Sequence, residues 1–224
     1  SIKSNRGYVW RGQRRDEKDW PLISSFDREV RITNQVDRTK KLKSHLNNFK
    51  EAMSRSYPNV LPRDDIEIWA FGQHYGLKTP LLDWTLSPYI AAYFAFIEEA
   101  DHSENYRYIY ALNRTIERLL SKQKKAEQVI SSERSVPFID QLPYPNQRFN
   151  AQEGILTKAL QGNDIWEYVR SFSRKRPSEV IIVKIKIPAR DRAVCLQDLY
   201  LRKIDHTSLL LEFRQIVDTC NSKL

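Results

Sequence analysis

Residues 73–96 constrain the fold most, because they end in a helix that must be buried on every side. Ser87 followed by Pro88 is typical of a helix start, since serine caps free amides and proline suits the first helical position. The residues that follow, 89–97, are apolar nearly all round. Such a helix is expected to be surrounded by protein. The sequence therefore predicts a helix packed inside a core.

The remaining hydrophobic pattern mixes helices with separated strands. Apolar residues recur at three- and four-residue steps in some segments and alternate with polar residues in others. Helices are therefore predicted at residues 37–56, 66–75, 115–130, 164–173, from 189 onward and at 209–219, and strands at 7–10, 106–112, 149–156 and 179–187. Residues 82–85 are expected to form a turn, and 131–146 a proline-rich loop. Because helices and strands do not alternate regularly, the predicted class is α+β, in one domain over residues 1–224 with a helical extension at 191–224.

Composition favours a globular, cytoplasmic protein. Of the 224 residues, 41% are hydrophobic and 29% are charged, which argues against a disordered or fibrous chain. No run of about 18 apolar residues could span a membrane, and the first residues lack a signal-peptide core. Cys195 and Cys220 are too few and too far apart for a disulfide framework or a zinc site. We therefore expect a reducing compartment, no membrane contact and no metal.

The formal net charge of +9 leaves three interpretations open. Basic runs lie at residues 38–43, 121–125 and 174–177. Such runs are most often solvated faces, but they also suit a nucleic acid or an acidic partner protein. Charge alone does not choose among the three.

Two polar groups could form parts of a ligand site. Arg11, at the end of the first predicted strand, could present its guanidinium to a phosphate or carboxylate, and Gly12 could let a ligand approach the backbone. His74 and Tyr75, at a helix end, could point into a cleft. The competing interpretations are an ordinary surface arginine and a structural histidine. Gly76 is expected to take the left-handed conformation that ends the helix.

Polar residues just before the buried helix form a third group. Asp83 and Thr85 could bond to the following turn, which would explain both structurally. Alternatively, the helix start at Ser87 could present free amides to an anion, with Thr85 supplying a hydroxyl and Trp84 a stacking surface. The residues alone leave these interpretations equally open.

A fourth group, Gln152 and Glu153 followed by Gly154, lies in the predicted strand at 149–156. Sequence alone indicates the solvent face of an edge strand. Since neighbouring strand residues face opposite sides of a sheet, only one of Gln152 and Glu153 is expected to face a ligand. Neither a glycine-rich phosphate loop, nor HExxH, nor GxSxG occurs in the sequence.

In this order the four groups resemble the FRG domain family. The central signature of that family is similar to Gln73 to Ala95, which reads QHYGLKTPLLDWTLSPYIAAYFA. Its opening aromatic-Arg-Gly motif is matched by Trp10-Arg11-Gly12, and its later Gln-x-Gly segment by Gln152-Glu153-Gly154. Leu156 stands where the family tends to carry an aromatic residue. Members are mostly encoded by bacteria and phages.

The motif order also resembles the ADP-ribosyltransferase superfamily. That resemblance implies a small, split, mixed or antiparallel sheet surrounded by helices, with NAD as substrate. It implies catalytic roles for Arg11, Thr85 and Gln152 or Glu153, where Gln152 stands in the place of the usual glutamate. NAD contacts would come from Arg11, Gly12, His74, Tyr75, Asp83, Trp84, Thr85 and Ser87.

Three functions follow, in order of preference. The first is an NAD-using effector such as a toxin or phage-defence protein, acting on a nucleic acid or acidic protein and paired with an antitoxin or immunity protein. The second is a non-catalytic module that binds a nucleotide or a partner. The third is a basic protein that acts on nucleic acid.

Overall fold

The computed structural model describes residues 7–57, 59–99, 104–126, 137–142, 147–158, 162–174 and 179–209. Six strands occur there: β1 (Tyr8–Gln13), β2 (Leu81–Thr85), β3 (Tyr106–Asn113), β4 (Phe138–Ile139), β5 (Gly154–Lys158) and β6 (Ile182–Pro188). The helices in those ranges are α1 (Ser25–Val30), α2 (Gln35–Ser56), α3 (Asp65–His74), α4 (Pro88–Phe96), α5 (Thr115–Ala126), α6 (Gln147–Ala151), α7 (Ile165–Ser173), α8 (Arg192–Leu201) and α9 (His206–Leu209). The predicted α+β class is confirmed. Within these ranges no helix is long and apolar enough to cross a membrane.

The strands form one sheet in the order β4-β5-β2-β1-β3-β6, and the neighbouring strands run antiparallel. Strand β1 pairs with β3 from Tyr8 to Gln13, over its whole length. By contrast, β1 and β2 are in register only where Trp10 faces Thr85. The sheet is therefore almost divided into two three-stranded halves, and it opens between β1 and β2.

Helices cover both faces of this sheet. Strand β2 alternates as a two-sided strand should: Leu82 and Trp84 enter a core shared with α5 and α7, whereas Leu81 packs with α2 and α3. Helix α4 lies against β1 and β3 and is buried between them and α8, as its apolar composition predicts. Its Ser87 cap is confirmed, because the Ser87 hydroxyl accepts from the Ile90 amide at 3.4 Å.

Gly12 is the point at which α4 comes closest to the sheet. A Cβ on Gly12 would lie 1.7 Å from the carbonyl oxygen of Ala91 in α4. No real side chain tolerates that distance. Gly12 therefore permits helix packing, whereas the sequence suggested that it makes room for a ligand.

The prediction of a strand over residues 149–156 is wrong in its first half. Helix α6 ends at Ala151, a turn covers Gln152 and Glu153, and β5 starts only at Gly154. The reason is tertiary packing, because the Phe149 ring lies over Gly154, where a Cβ would come within 2.5 Å of it. Glu153 adopts a left-handed φ of 45° to make this turn. The strand argument about opposite faces therefore does not apply to Gln152 and Glu153.

Other boundaries differ in smaller ways. Residues 82–85, expected as a turn, belong to β2 in the middle of the sheet. Helix α5 is described to Ala126, and β4 lies within the segment expected to be a loop. Gly76 has the predicted left-handed φ, at 89°. Residues 210–219 of the predicted last helix lie outside the described residues.

Candidate functional site

A cavity of about 370 Å³ lies where β1 and β2 separate. Its walls come from elements on both sides of the opening: Arg11 in β1, Asp83 in β2, Gln73 in α3 and Phe94 in α4. This volume lies within the range of known ligand sites, roughly 300–1,000 Å³. A cavity of ligand size thus lies where the pairing of β1 and β2 is reduced to one residue pair.

The cavity brings together most of the residues that the sequence singled out. Those that line it are Arg11, Gly12, His74, Asp83, Trp84, Thr85 and Gln152. Tyr75, Ser87 and Glu153 are not among its lining residues. The motifs separated in sequence therefore converge, but they do not all contribute a side chain to the cavity.

Arg11 spans the opening between the strands. Its Nη1 donates to the carbonyl oxygen of Asp83 at 2.7 Å. Its Nε is buried and has no hydrogen-bond partner among the described residues. Burial lowers the pKa of Arg11 to about 10, and Asp83 acts in the opposite direction. The guanidinium therefore keeps donor capacity that no described protein group uses.

A second arginine, Arg28 in α1, stands beside the cavity wall. Its guanidinium carbon lies 5.7 Å from the ring centroid of Trp20, which lines the cavity. Its Nη1 is also buried without a hydrogen-bond partner in the described part of the chain. Burial lowers the pKa of Arg28, and Asp83 again acts in the opposite direction. Arg28 itself is not among the residues that line the cavity.

Asp83 is held by a chain of polar side chains. Gln73 Nε2 donates to Asp83 Oδ1 at 2.6 Å, and the Thr79 hydroxyl donates to Gln73 Oε1. Thr79 is buried, and its amide donates to the Ser25 hydroxyl at 3.1 Å. Asp83 itself is exposed to the cavity. Gln73 and Thr79 therefore position this carboxylate, a role that the sequence analysis did not give them.

The Thr85 hydroxyl is engaged within the protein. It donates to the carbonyl oxygen of Gln152 at 2.7 Å and accepts from the Ser87 amide at 3.1 Å. Thr85 is only 4% exposed. Its observed contacts join β2 to the turn after α6 and to the start of α4, which is the structural alternative considered for this residue.

Gln152 and Glu153 differ in their position relative to the cavity and in their hydrogen-bond partners. Gln152 lines the cavity, and its Nε2 donates to the carbonyl oxygen of Leu209 in α9 at 2.9 Å. Glu153 is exposed, and its carbonyl oxygen accepts from the Leu86 amide at 3.0 Å. Of this pair, only Gln152 lines the cavity.

The aromatic candidates also separate into two kinds. Trp84 is 4% exposed, and its Nε1 donates to the Thr157 hydroxyl at 2.9 Å, so the indole belongs mainly to the core. His74 is exposed at the cavity, with its ring 4.8 Å from that of Tyr75. Tyr75 is 71% exposed. Trp20, which the motif does not include, supplies the accessible aromatic wall beside Arg28.

These observations define an α+β protein with a ligand-sized, arginine-bearing cavity in a divided antiparallel sheet. Residues 6–105 match the family model of the FRG domain. The resemblance to the FRG domain that the motifs indicated is therefore confirmed over residues 6–105. The match includes β1 and β2 and ends just before β3. Strands β5 and β3 flank this pair in the sheet, so the sheet extends beyond the matched residues. No curated protein and no solved structure matches the chain.

Proposed function

We propose that the cavity binds a nucleotide of the NAD class and that Arg11 binds its phosphate. The observation that carries this proposal is that Arg11 lines a ligand-sized cavity while its Nη1 donates to a neutral carbonyl oxygen and not to a carboxylate. A phosphate oxygen is the acceptor that a guanidinium suits best. The partly exposed Trp20 ring, which lines the cavity, suits stacking with a base.

The competing interpretation is that Arg11 only ties the two strands together. Its bond to the Asp83 carbonyl supports that view, because it bridges the opening where backbone pairing stops. One neutral acceptor, however, uses only one of the five donors of a guanidinium. The bridge therefore explains where the side chain lies, and an anion explains why a group that is charged at neutral pH is retained there.

Transfer of ADP-ribose from NAD is a second candidate, and Asp83 favours it. The bond between ribose C1′ and the nicotinamide nitrogen would break, its electron pair would leave with nicotinamide, and an acceptor nucleophile or water would bond to C1′. A fixed carboxylate would stabilise the positive charge that develops on the ribose. Asp83 is a carboxylate exposed to the cavity and held by Gln73. We therefore assign this role to Asp83 in place of Glu153.

The test combines NAD binding with nicotinamide release. Wild type should bind NAD in calorimetry, and Arg11→Gln should weaken binding by about 10- to 100-fold, the loss expected for a hydrogen-bonded charge pair. Asp83→Asn should abolish release of nicotinamide while NAD still binds. Glu153→Gln, on the turn outside the cavity, is the matched control and should change neither quantity.

Each outcome has a defined meaning. If wild type binds NAD but releases no nicotinamide, nucleotide binding is supported and ADP-ribose transfer is rejected. Equal loss of release in Asp83→Asn and Glu153→Gln would reject Asp83 as the stabilising carboxylate. Absence of NAD binding to folded wild type would reject the whole proposal.

A further inference from the structure

We propose that Tyr75, Lys78 and Lys41 form a surface at the mouth of the cavity that binds single-stranded nucleic acid. These three residues are called the rim surface below. A strand bound there would be the acceptor in the proposed transfer of ADP-ribose, and only that role rests on the proposed function. Binding of the strand itself does not require NAD.

The central feature of the rim surface is an exposed aromatic ring that is held in place. Tyr75 is 71% exposed, and the centroid of its ring lies 5.1 Å from that of Phe71 and 4.8 Å from that of His74. Tyr200 is 67% exposed, but its ring contacts no other ring in the described part of the chain. An exposed tyrosine alone is ordinary, whereas a ring fixed by two others is pre-organised to stack on a flat partner.

The Tyr75 ring stands at the edge of the cavity and outside it. His74 lines the cavity and Tyr75 does not, although their rings meet nearly edge to face, at 76°. A group stacked on Tyr75 would therefore lie beside a ligand in the cavity without competing for its space. Tyr75 belongs to the recognisable motif, and a site for a second molecule accounts for its position.

The fold brings one of the three basic runs to this edge. His45 Nε2 in α2 lies 3.0 Å from the carbonyl oxygen of Lys78. Because three residues of chain span at most about 11 Å, this contact places α2 near Tyr75. Lys41 precedes His45 by one helical turn and shares its side of the helix, and both Lys41 and Lys78 are exposed. The run at 38–43 therefore contributes positive charge beside the aromatic ring.

Acidic residues of α3 and the second basic run lie elsewhere. Asp65 and Glu67 are in the first turn of α3, about 12 Å along the helix from Tyr75 at its other end. The second run starts in α5, whose apolar residues pack on the opposite face of the sheet from α2 and α3. Lys122 of that run is exposed, so it serves as a reference for positive charge without the aromatic ring.

A single-stranded nucleic acid fits the rim surface better than an acidic protein does. A base can stack on an exposed aromatic ring, and the neighbouring phosphates carry the negative charge that lysines attract. The carboxylates of an acidic protein would meet the lysines but offer no flat face to the ring. A duplex keeps its bases stacked on one another, so it could not use Tyr75.

The experiment measures binding of a fluorescent strand of about 12 nucleotides, a usual site size, by polarisation in the absence of NAD. DNA and RNA probes of one sequence show which sugar binds more tightly. Tyr75→Ala should weaken binding of the tighter strand by about 5- to 100-fold, the loss expected from one stacked base. Tyr200→Ala, at a tyrosine of similar exposure, is the matched control and should leave affinity unchanged.

Two further variants at Tyr75 separate stacking from a folding defect. Tyr75→Phe keeps the ring and should keep the affinity of wild type. Tyr75→Leu keeps an apolar side chain but removes the ring, so it should bind as weakly as Tyr75→Ala.

The dependence of affinity on salt tests the lysines. Lys41→Gln and Lys78→Gln should each reduce the slope of log affinity against log salt by about 0.7, the value for one phosphate contact on a single strand. Lys122→Gln makes the same change on the opposite face of the sheet and should leave the slope as it is in wild type. Equal changes in all three variants would overturn the inference.

The remaining outcomes also decide. Equal losses in Tyr75→Ala and Tyr200→Ala would overturn the inference, as would tighter binding of a duplex of the same sequence. If folded wild type binds NAD but neither strand, the rim surface is rejected in favour of a protein acceptor, and the proposed function stands. If strand binding depends on Tyr75 but NAD does not bind, the rim surface stands and the NAD proposal fails.

Discussion

The Thr85 hydroxyl donates to the carbonyl oxygen of Gln152 at 2.7 Å, across 67 residues of sequence. The same hydroxyl accepts from the Ser87 amide. One side chain thereby joins the end of β2, the turn after α6 and the first turn of α4. Thr85 and Gln152 both line the cavity, so this junction joins two parts of its wall.

Replacing Thr85 tests whether its hydroxyl stabilises the fold or contributes to ligand binding. Thr85→Val keeps the shape but leaves the Gln152 carbonyl and the Ser87 amide without their partner. We expect a loss of about 1–3 kcal/mol in the free energy of unfolding, measured with urea. Thr85→Ser keeps the hydroxyl and should lose far less. If Thr85→Val is as stable as wild type while NAD binding disappears, the hydroxyl serves the ligand instead.

Gln152→Glu would install the carboxylate that ADP-ribosyltransferases use, and we expect it to destabilise the protein at neutral pH. Gln152 Nε2 donates to the Leu209 carbonyl at 2.9 Å, and an ionised carboxylate can only accept. Protonated glutamic acid can donate, so the native state favours the neutral form and raises its pKa. The melting temperature should therefore fall at pH 7, and the deficit should shrink as pH falls toward about 4.3. A variant as stable as wild type at pH 7 would contradict the assigned role of this bond.

Sequence patterns correctly predicted the features that depend only on neighbouring residues in the chain. The Ser87 cap and the left-handed Gly76 depend on neighbouring residues, and both are confirmed. Glu153 was misplaced because its turn depends on Phe149 packing over the next strand. The support of Asp83 was missed for a related reason, since its contacts come from other elements. Hydrophobic periodicity indicates which face of a helix or strand is apolar, but it does not predict which polar side chains contact each other in the fold.

Gly12→Ala should be among the most damaging small substitutions in the chain. The added Cβ would meet a backbone carbonyl of α4 at 1.7 Å, and backbone cannot rotate away as a side chain can. We expect destabilisation of about 3 kcal/mol or more, seen as a large fall in the urea midpoint or as insoluble protein. Gly76→Ala is the control, because nothing lies within 4 Å there and only the φ of 89° is strained. Its expected loss is about 1–2 kcal/mol.

Asp83→Asn should strengthen anion binding even where it stops chemistry. Asparagine can still accept from Gln73 through its side-chain oxygen, so the change removes charge and keeps the geometry. The anion then meets Arg11 without a competing carboxylate, and NAD affinity should rise several-fold at low salt, less at high salt. Glu98→Gln is the control, because Glu98 also lines the cavity but pairs with Arg14 at 2.9 Å. Weaker binding in Asp83→Asn would show that Asp83 organises the site more than it opposes the ligand.

Removing the guanidinium of Arg11 should stabilise the empty protein. Burial lowers its pKa from 12.5 to about 10, which means that the folded state disfavours the charged form. The unfolded chain therefore binds more protons between these values, and the contribution of Arg11 to stability should improve as pH rises through about 10. Below that pH its charge opposes folding, so Arg11→Met should raise the melting temperature at pH 7 by a few degrees. It should also lose NAD binding and the dependence of stability on pH near 10, with circular dichroism confirming the fold. A lower melting temperature would mean that the bond to the Asp83 carbonyl outweighs burial, and that Arg11 acts chiefly as a bridge between the two halves of the sheet.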